Sequence, residues 1–434
     1  MFRRILVLAV GVALGFALTV TAARLSLAWS WWPNRELNRS TDYVRDVLRM
    51  VNENYVDAGR AGYRQLAKQA VHGMVESLDP HSEFLEPGDF DELEEQLTGD
   101  FSGIGIQVEL RKGHVLVIAP IANSPSERAG VQRGDEILSV DGKGLDKESP
   151  MEGVIENLRG KPGTQVTIEL LRASTGQRFR HTLTRELIQL ESVRAPQVLA
   201  DHTGYILITD FSERTGEEFG RALDTLLQEG VDSLVIDLRN NPGGLLDAAV
   251  AVAEPFFRRG ELIVYTRGRK AIDSESFHAE VDGEPLDLPV VVLINAGTAS
   301  AAEVVTGALK DTGRAVVLGE RSFGKGSVQS IFKLNDGEGL RLTTARYFTP
   351  NGISIHEKGI APHVELVLSP EEDSKLRVQR TRPDVTDPAE FKARFGFTPI
   401  EDRQLAAALG VLRGIKLLDQ RRTVAAAGEP VAHR

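Results

Sequence analysis

The sequence predicts an α/β protein: a layered core, a small β-rich module inserted ahead of it, and helical segments at both ends. Three observations predict this. Beyond about Leu187, strand-length apolar runs alternate with stretches of helical periodicity, as expected of a sheet covered by helices. Between about residues 97 and 187 the apolar period is two, interrupted by one amphipathic helix. Near both ends, at 41–78 and 402–418, apolar residues recur at helical spacing. At roughly 150 residues per domain, 434 residues suggest two or three domains.

Composition excludes several classes. Hydrophobic residues at 41% and charged residues at 26% fit neither wholesale disorder nor a polytopic membrane protein. With 62 acidic against 51 basic side chains and a net charge of -11, nucleic acid is not an expected partner. The absence of cysteine removes disulfides, thiolate metal sites and cysteine nucleophiles, and leaves the compartment to be read from the amino terminus.

That terminus carries Arg3 and Arg4 ahead of an apolar run from Ile5 to about Ala23. It reads as an export signal, cleaved after a small-residue pattern such as Thr21-Ala22-Ala23 or Ser26-Leu27-Ala28, or kept as a membrane anchor. No cysteine follows, so a lipid-linked form is excluded. Residues 41–78 then read as a helical pair broken at Val56-Asp57-Ala58-Gly59. The acidic stretch from Ser82 to Leu110 matches no calcium-loop spacing and reads as a solvated helix face around Asp91–Gln96.

In the inserted module, Ile104, Ile106, Val108 and Leu110 alternate with Gly105, Gln107 and Glu109. Further strands fit 115–119, 136–140, 165–171 and 178–184, and Met151, Val154, Ile155 and Leu158 mark the helix. In the core, strands fit 204–210, 233–238, 262–266, 289–295 and 315–319, helices fit 217–227, 245–256 and 300–310, and a hairpin turns at Asn335-Asp336-Gly337. Beyond Pro370 the chain is charged and proline-interrupted up to the helix at 402–418, and its last dozen residues read as a mobile tail.

Four segments carry candidate chemistry. Ser102, Gly103, Ile104, Gly105 and Ile106 form a small glycine-containing loop entering a strand, where converging N–H groups and an open strand edge suit a peptide's free carboxylate; a tight turn explains the loop about as well. With the flanking helix and the Gly134-Asp135 and Asp141-Gly142 turns, the module resembles a PDZ domain. Ser300 follows a buried strand and a turn of small residues and begins a helix, where N–H groups could hold an oxyanion. Taken alone, Ser300-x-x-Glu303 reads better as a capping box, and Thr298 and Ala302 occupy the glycine positions of a Gly-x-Ser-x-Gly elbow.

Lys325 alters that balance. It lies between Gly324 and Gly326 after a strand, nearly spelling a phosphate loop, but Gly326 stands where that loop needs a hydroxyl. Partial burial would lower its ammonium pKa and make it a general base for Ser300. Gln329 could orient the amine, but four extended residues span roughly 13 Å, so this requires a bend at Gly326. The loop after Asp237, Arg239-Asn240-Asn241-Pro242-Gly243-Gly244, offers glycine N–H groups that with Ala301 could form an oxyanion pocket. No obvious acidic partner accompanies His356, which makes a weak relay candidate.

Together these segments resemble the carboxyl-terminal processing peptidases, or tail-specific proteases, of peptidase family S41. The likeness runs from about Tyr43 to His363, with a weaker match at 402–418. It is most specific at Ser77-Leu78-Asp79-Pro80-His81-Ser82, Asp237–Gly244, Gly297–Glu303 and Ser322–Gln329. Where many relatives have serine two places after the nucleophile, this chain has Ala302. The resemblance implies Ser300 as nucleophile, Lys325 as base, Gln329 as its orienting partner, and oxyanion donors at Gly243 or Gly244 and at Ala301. It also implies a core of the ClpP/crotonase type and a PDZ domain that binds substrate tails and gates access.

The expected division is 1–28 signal or anchor, 35–96 helical segment, 97–187 PDZ domain, 188–370 peptidase core and 371–434 helical region and tail. The expected activity is serine endopeptidase cleavage of flexible carboxyl-terminal tails of exported proteins in the periplasm or a like compartment. No metal or organic cofactor is implied. Expected partners are polypeptides held by their tails, an activating adaptor protein, further copies in a homo-oligomer, and the inner membrane if the apolar segment is a tether. A non-catalytic tail-holding adaptor and an acyl-CoA enzyme on the same core are the rival readings.

Overall fold

The computed structural model describes residues 35–111, 113–121, 123–145, 150–382 and 385–427. It comprises two compact units, Met1–Phe84 and Leu85–Arg434. In the first, α1 (Arg35–Asn54) and α2 (Tyr63–Glu76) are separated by a short 3-10 turn at Ala58–Arg60, and Asn52 donates to the Ala61 carbonyl at 2.8 Å. After α2, Asp79 accepts from the His81 and Ser82 N–H groups and the Ser82 hydroxyl at 2.8–2.9 Å, so its carboxylate shapes the turn in that motif. The export or anchor segment lies outside the described residues. No helix among the described residues is long and apolar enough to cross a membrane.

The second unit opens with α3 (Pro87–Thr98), where proline occupies the first turn and Gly99 ends the helix at φ 73°. Strand β1 (Asp100–Gly103) enters the inserted module and pairs with β7 (Glu186–Gln189) as the chain leaves it. Between them β2 (Ile106–Arg111), β3 (His114–Pro120), β4 (Asp135–Val140), β5 (Gln165–Arg172) and β6 (Gln177–Thr184) form an antiparallel sheet in that order, with β2 at its edge. Helix α4 (Met151–Leu158) places Val154 and Leu158 in a core with Ile104, Val117, Ile168 and Leu170. Ser102 and Gly103, expected in a loop, are instead strand residues.

The core is a six-stranded sheet in the order β8 (Val193–Leu199), β9 (Thr203–Ile208), β10 (Ser233–Asp237), β13 (Val290–Ile294), β14 (Ala315–Gly319) and β17 (Val364–Glu365). All neighbours are parallel except β8 with β9. Both faces are covered, which is why these strands read as continuous apolar runs. Ile206, Ile236, Val292 and Val317 face α5 (Thr215–Gln228), α6 (Leu246–Ala253) and α7 (Ala301–Asp311) in one cluster. Tyr205, Val235, Val291 and Leu318 face Ala408 and Leu412 of the last helix in another. A second, antiparallel sheet pairs β15 (Ser327–Lys333) with β16 (Gly339–Phe348), β16 with β11 (Leu262–Gly268), and β11 with β12 (Ser276–His278).

Three features depart from the sequence reading. Edge strand β8 was hidden by Pro196, which an edge tolerates. The proline-interrupted region holds α8 (Pro370–Thr381) and α9 (Pro388–Phe395), in which the prolines occupy first helical positions behind Ser369 and Asp387 caps. The prolines there start helices. The final helix, α10 (Arg403–Ala427), runs past Leu418 and takes in part of the expected tail.

Candidate active site

The three chemical loops of the core leave the carboxyl ends of three adjacent parallel strands: 238–244 after β10, 295–300 after β13 and 320–326 after β14. Parallel registration puts them on one edge of the sheet, the usual place for a site in such folds. They are also hydrogen-bonded to one another. Asn240 N–H donates to Asn295 Oδ1 at 2.8 Å, Ala299 N–H to the Asn241 carbonyl at 2.9 Å, and the Thr298 hydroxyl to the Leu238 carbonyl at 2.8 Å. Phe323 N–H donates to the Thr298 carbonyl at 2.9 Å.

Ser300 has φ 54° and ψ -118°, a left-handed conformation costly for a residue with a Cβ, by roughly 1–3 kcal/mol. A helix cap ordinarily takes extended backbone, whereas Ser300 takes part in its capping box from a left-handed one. The Glu303 N–H also donates to the Ser300 backbone carbonyl at 2.8 Å. The capping box read from the sequence is present, and within it the Glu303 carboxylate accepts Ser300 N–H at 2.9 Å. Local geometry is that of a strand–turn–helix elbow, reached without its glycines. Gly243 makes the turn possible from the other side, since a Cβ there would lie 2.6 Å from the Ser300 Cβ.

Glu303 does more than close a box. Its buried carboxylate accepts from the Ser322 hydroxyl at 2.5 Å and Gly324 N–H at 2.7 Å on one oxygen, and from Lys325 N–H at 2.8 Å and Ser300 N–H on the other. One carboxylate thus ties the serine loop to the lysine loop. Burial raises its pKa, opposed by the hydrogen bonds from Ser322, Gly324, Ser300 and Lys325. Sequence reasoning saw a cap. The signal available was an ionisable residue in an otherwise apolar helical turn, Ala301-Ala302-Glu303-Val304-Val305, which burial forces to find donors.

Ser300, Lys325 and Gln329 line one cavity of about 790 Å³, together with Gly243, Gly244, Tyr347, Arg341 and Asp247. Lys325 is half-buried, and desolvation, aided by the like charge of Arg341, lowers its pKa. Gln329 Nε2 donates to Thr343 Oγ1 at 2.9 Å and Ser327 Oγ at 3.2 Å, leaving its buried Oε1 without a partner among the described residues. The bend expected at Gly326 has no left-handed φ there; Gly324, ahead of Lys325, takes φ 92°, and the strand register shifts between Val328 and Gln329. Gly326 serves a different purpose: a Cβ there would meet His356 N at 2.2 Å. His356 does not line the cavity, and its Nδ1 is buried without a partner among the described residues, so no serine–histidine relay is assembled.

Among the proposed oxyanion donors, Gly243 N–H is engaged by Asn241 Oδ1 at 2.8 Å. Gly244 and Ala301 N–H groups have no partner among the described residues. Arg239, read only as part of the loop, is buried and forked between Asp237, at 2.9 and 2.5 Å, and Asp402, at 2.9 and 2.8 Å, with Gln404 at 3.0 Å. Burial favours neutral Asp237, yet Arg239 overrides it and draws the pKa down to about 2. This buried network, completed from beyond Pro370, fixes the start of the 238–244 loop.

In the inserted module, carbonyls are tethered and N–H groups are not. Ile104 carbonyl accepts Ser126 N–H at 3.1 Å, and Gly105 carbonyl accepts Ile121 N–H at 2.9 Å and the Ser124 hydroxyl at 3.0 Å. The Ile104 and Gly105 N–H groups have no partner among the described residues. Gly105 takes φ 68°, and a Cβ would lie 2.2 Å from Ser124 Cβ. Ile106 begins edge strand β2, and Ser102 turns away, donating to the Gly160 carbonyl at 2.5 Å.

The PDZ domain pattern matches residues 102–183, and that of Peptidase family S41 matches 202–366. A carboxy-terminal-processing protease of Bartonella bacilliformis is 35% identical over 431 residues, 95% of this chain and 96% of that one. The chain belongs to peptidase family S41. It is a serine peptidase of the carboxyl-terminal processing type with a PDZ domain, an α/β fold whose PDZ module is inserted ahead of the S41 core. A carboxyl-terminal-processing protease of Synechocystis sp. is 38% identical over 79% of this chain and 76% of its own. Among solved structures, the photosystem II D1 C-terminal processing protease is 31% identical, with a TM-score of 0.43 over 74% of this chain and 92% of that one.

Proposed function

We propose that this S41 peptidase cleaves flexible carboxyl-terminal tails of exported proteins through an acyl-enzyme on Ser300. Lys325, as the neutral amine, takes the Ser300 proton, and Gln329 Oε1 orients that amine. Gly244 and Ala301 N–H groups receive the oxyanion. Water then releases the acyl group, with Lys325 again accepting a proton. The observation that carries this reading is the convergence of Ser300, Lys325 and Gln329 on one cavity, with a lysine whose charge burial disfavours.

In this reading the core is crotonase-like, and the PDZ domain captures the substrate's free carboxylate at Ile104–Ile106 and gates the cavity, whose wall includes Phe101 and Arg159 of that module. Export through the amino-terminal segment, as a cleaved signal or an inner-membrane tether, an activating adaptor and a homo-oligomer belong to the same proposal. Mass spectrometry of a disordered exported protein incubated with the native chain, Ser300→Ala and Lys325→Ala tests it. Internal cleavage by the native chain alone is expected; equal cleavage by either variant refutes the dyad.

A further inference from the structure

Counting outward from the Asn335–Gly337 turn, the β15–β16 ladder keeps register as far as Gln329 opposite Thr343. The next rung joins Val328 to Ala345 and leaves Thr344 as the extra residue of a bulge. Directly opposed residues of an antiparallel pair share a face, as do residues two apart in a strand, so Thr343 and Ser327 both reach the Gln329 side chain. Gln329 Nε2 donates to Thr343 Oγ1 at 2.9 Å and to Ser327 Oγ at 3.2 Å. An amide NH2 has two hydrogens, so these two hydroxyl oxygens exhaust it, and the side chain is left with an acceptor, the buried Oε1. The reversed amide would put its NH2 where Oε1 now lies, in a cavity wall shared with the Lys325 and Arg341 cations. Gln329 lines that cavity and Thr343 does not. The Thr344 hydroxyl is bonded elsewhere, to Ser330 Oγ at 2.6 Å.

We propose that Thr343 is a positioning residue for the peptidase reaction: by accepting from Nε2 it fixes the Gln329 amide with Oε1, and not the NH2, presented to the Lys325 amine. The inference rests on the reading of Lys325 as base and Gln329 as its orienting partner. An amine N–H held by Oε1 is restricted in rotation, which keeps the nitrogen lone pair for the Ser300 proton. Without the Thr343 acceptor the amide turns between two orientations, one of which sets N–H groups against the amine and disfavours its charged form. Thr343 thus acts on the rate through Gln329 alone, from behind the cavity wall.

The test compares the native chain with Thr343→Val, Thr343→Ser, Gln329→Leu, the double variant Thr343→Val with Gln329→Leu and, as a control, Thr344→Val, by peptide turnover across pH and by urea unfolding. Valine keeps the branched shape that a strand favours and removes the hydroxyl. For Thr343→Val the expected result is kcat lowered roughly three- to tenfold, KM unchanged, and activity restored by Thr343→Ser. Its Lys325 limb should move to lower pH, because the ammonium loses an acceptor while Arg341, the like charge facing it, is unchanged. Thr344→Val should match the native chain. In the Gln329→Leu background Thr343→Val should have no further effect. An unchanged kcat, a loss confined to KM, a limb left in place, an equal loss in Thr344→Val, or the same loss repeated in the Gln329→Leu background overturns the proposal. Should Thr343→Val unfold, Thr343→Ala goes through the same cycle. A native chain without turnover, or a Gln329→Leu variant as active as the native chain, overturns the reading of Lys325 and Gln329 and this inference with it. An impaired Gln329→Leu beside an unaffected Thr343→Val overturns the inference alone.

Discussion

At Glu303, N–H and O–H donors from two loops converge on a buried carboxylate; at Ile104–Gly105 in the PDZ domain, two backbone N–H groups are left with no partner among the described residues. In the peptidase core the loops 238–244, 295–300 and 320–326 brace one another, so that a strained serine and a desolvated lysine stay where folding put them. The PDZ turn is tied down only through its carbonyls, and its donors stay open. The contrast teaches where rigidity is needed. Under the proposed function, positioning reacting groups calls for satisfied, buried polar networks, whereas receiving a peptide calls for unsatisfied ones on a fixed turn.

The comparison can be broken most severely at Ser300, the proposed nucleophile. Ser300→Ala is expected to lower peptide turnover by about 10⁴-fold or more, with folding kept, as read by a peptide turnover assay beside circular dichroism. Next is the brace: Glu303→Gln leaves N–H donors facing an amide NH2. We expect a loss of about 2–5 kcal/mol in urea unfolding and turnover down on the order of 100-fold. A variant that loses neither would show that the carboxylate is not what holds the loops together.

A smaller effect comes from pH. Because burial and Arg341 hold the Lys325 ammonium below the ordinary lysine value, kcat/KM should rise about tenfold per pH unit up to that lowered pKa and then level off. Arg341→Ala removes the like charge, lets the pKa climb and moves the limb to higher pH; a limb moving the other way contradicts the assigned cause. The smallest effect is expected in the open region. Gly105→Val drives a side chain into Ser124 at a left-handed φ and should weaken binding of a peptide with a free carboxylate roughly tenfold, measured by fluorescence anisotropy. Fluorophosphonate labelling of Ser300 should be untouched. A parallel fall in labelling would erase the distinction between the two regions.

Much of this was legible in the chain. Period two and period 3.6 located the strands and helices of module and core, and the hairpin about Asp336 already set Thr343 opposite Gln329, although no role was read from it. The reading failed where one local signal has two meanings. The region beyond Pro370 was read as proline-interrupted, where Pro370 and Pro388 begin helices, and Ser300-x-x-Glu303, read alone, showed a cap but not that its glutamate also bridges two loops. Arg239 gave no hint of Asp402, more than 160 residues away.

What sequence settles here is chain-local: steric limits on φ at each residue, side-chain period, and the residue types able to move a proton. Which of those residues meet was decided by strand order. β10, β13 and β14 lie side by side and parallel because that order buries both faces of the sheet, under α5–α7 on one side and α10 on the other. The gain is summed over dozens of residues and written in no single segment. Ser300, Lys325 and Tyr347 share a cavity as a consequence of that packing.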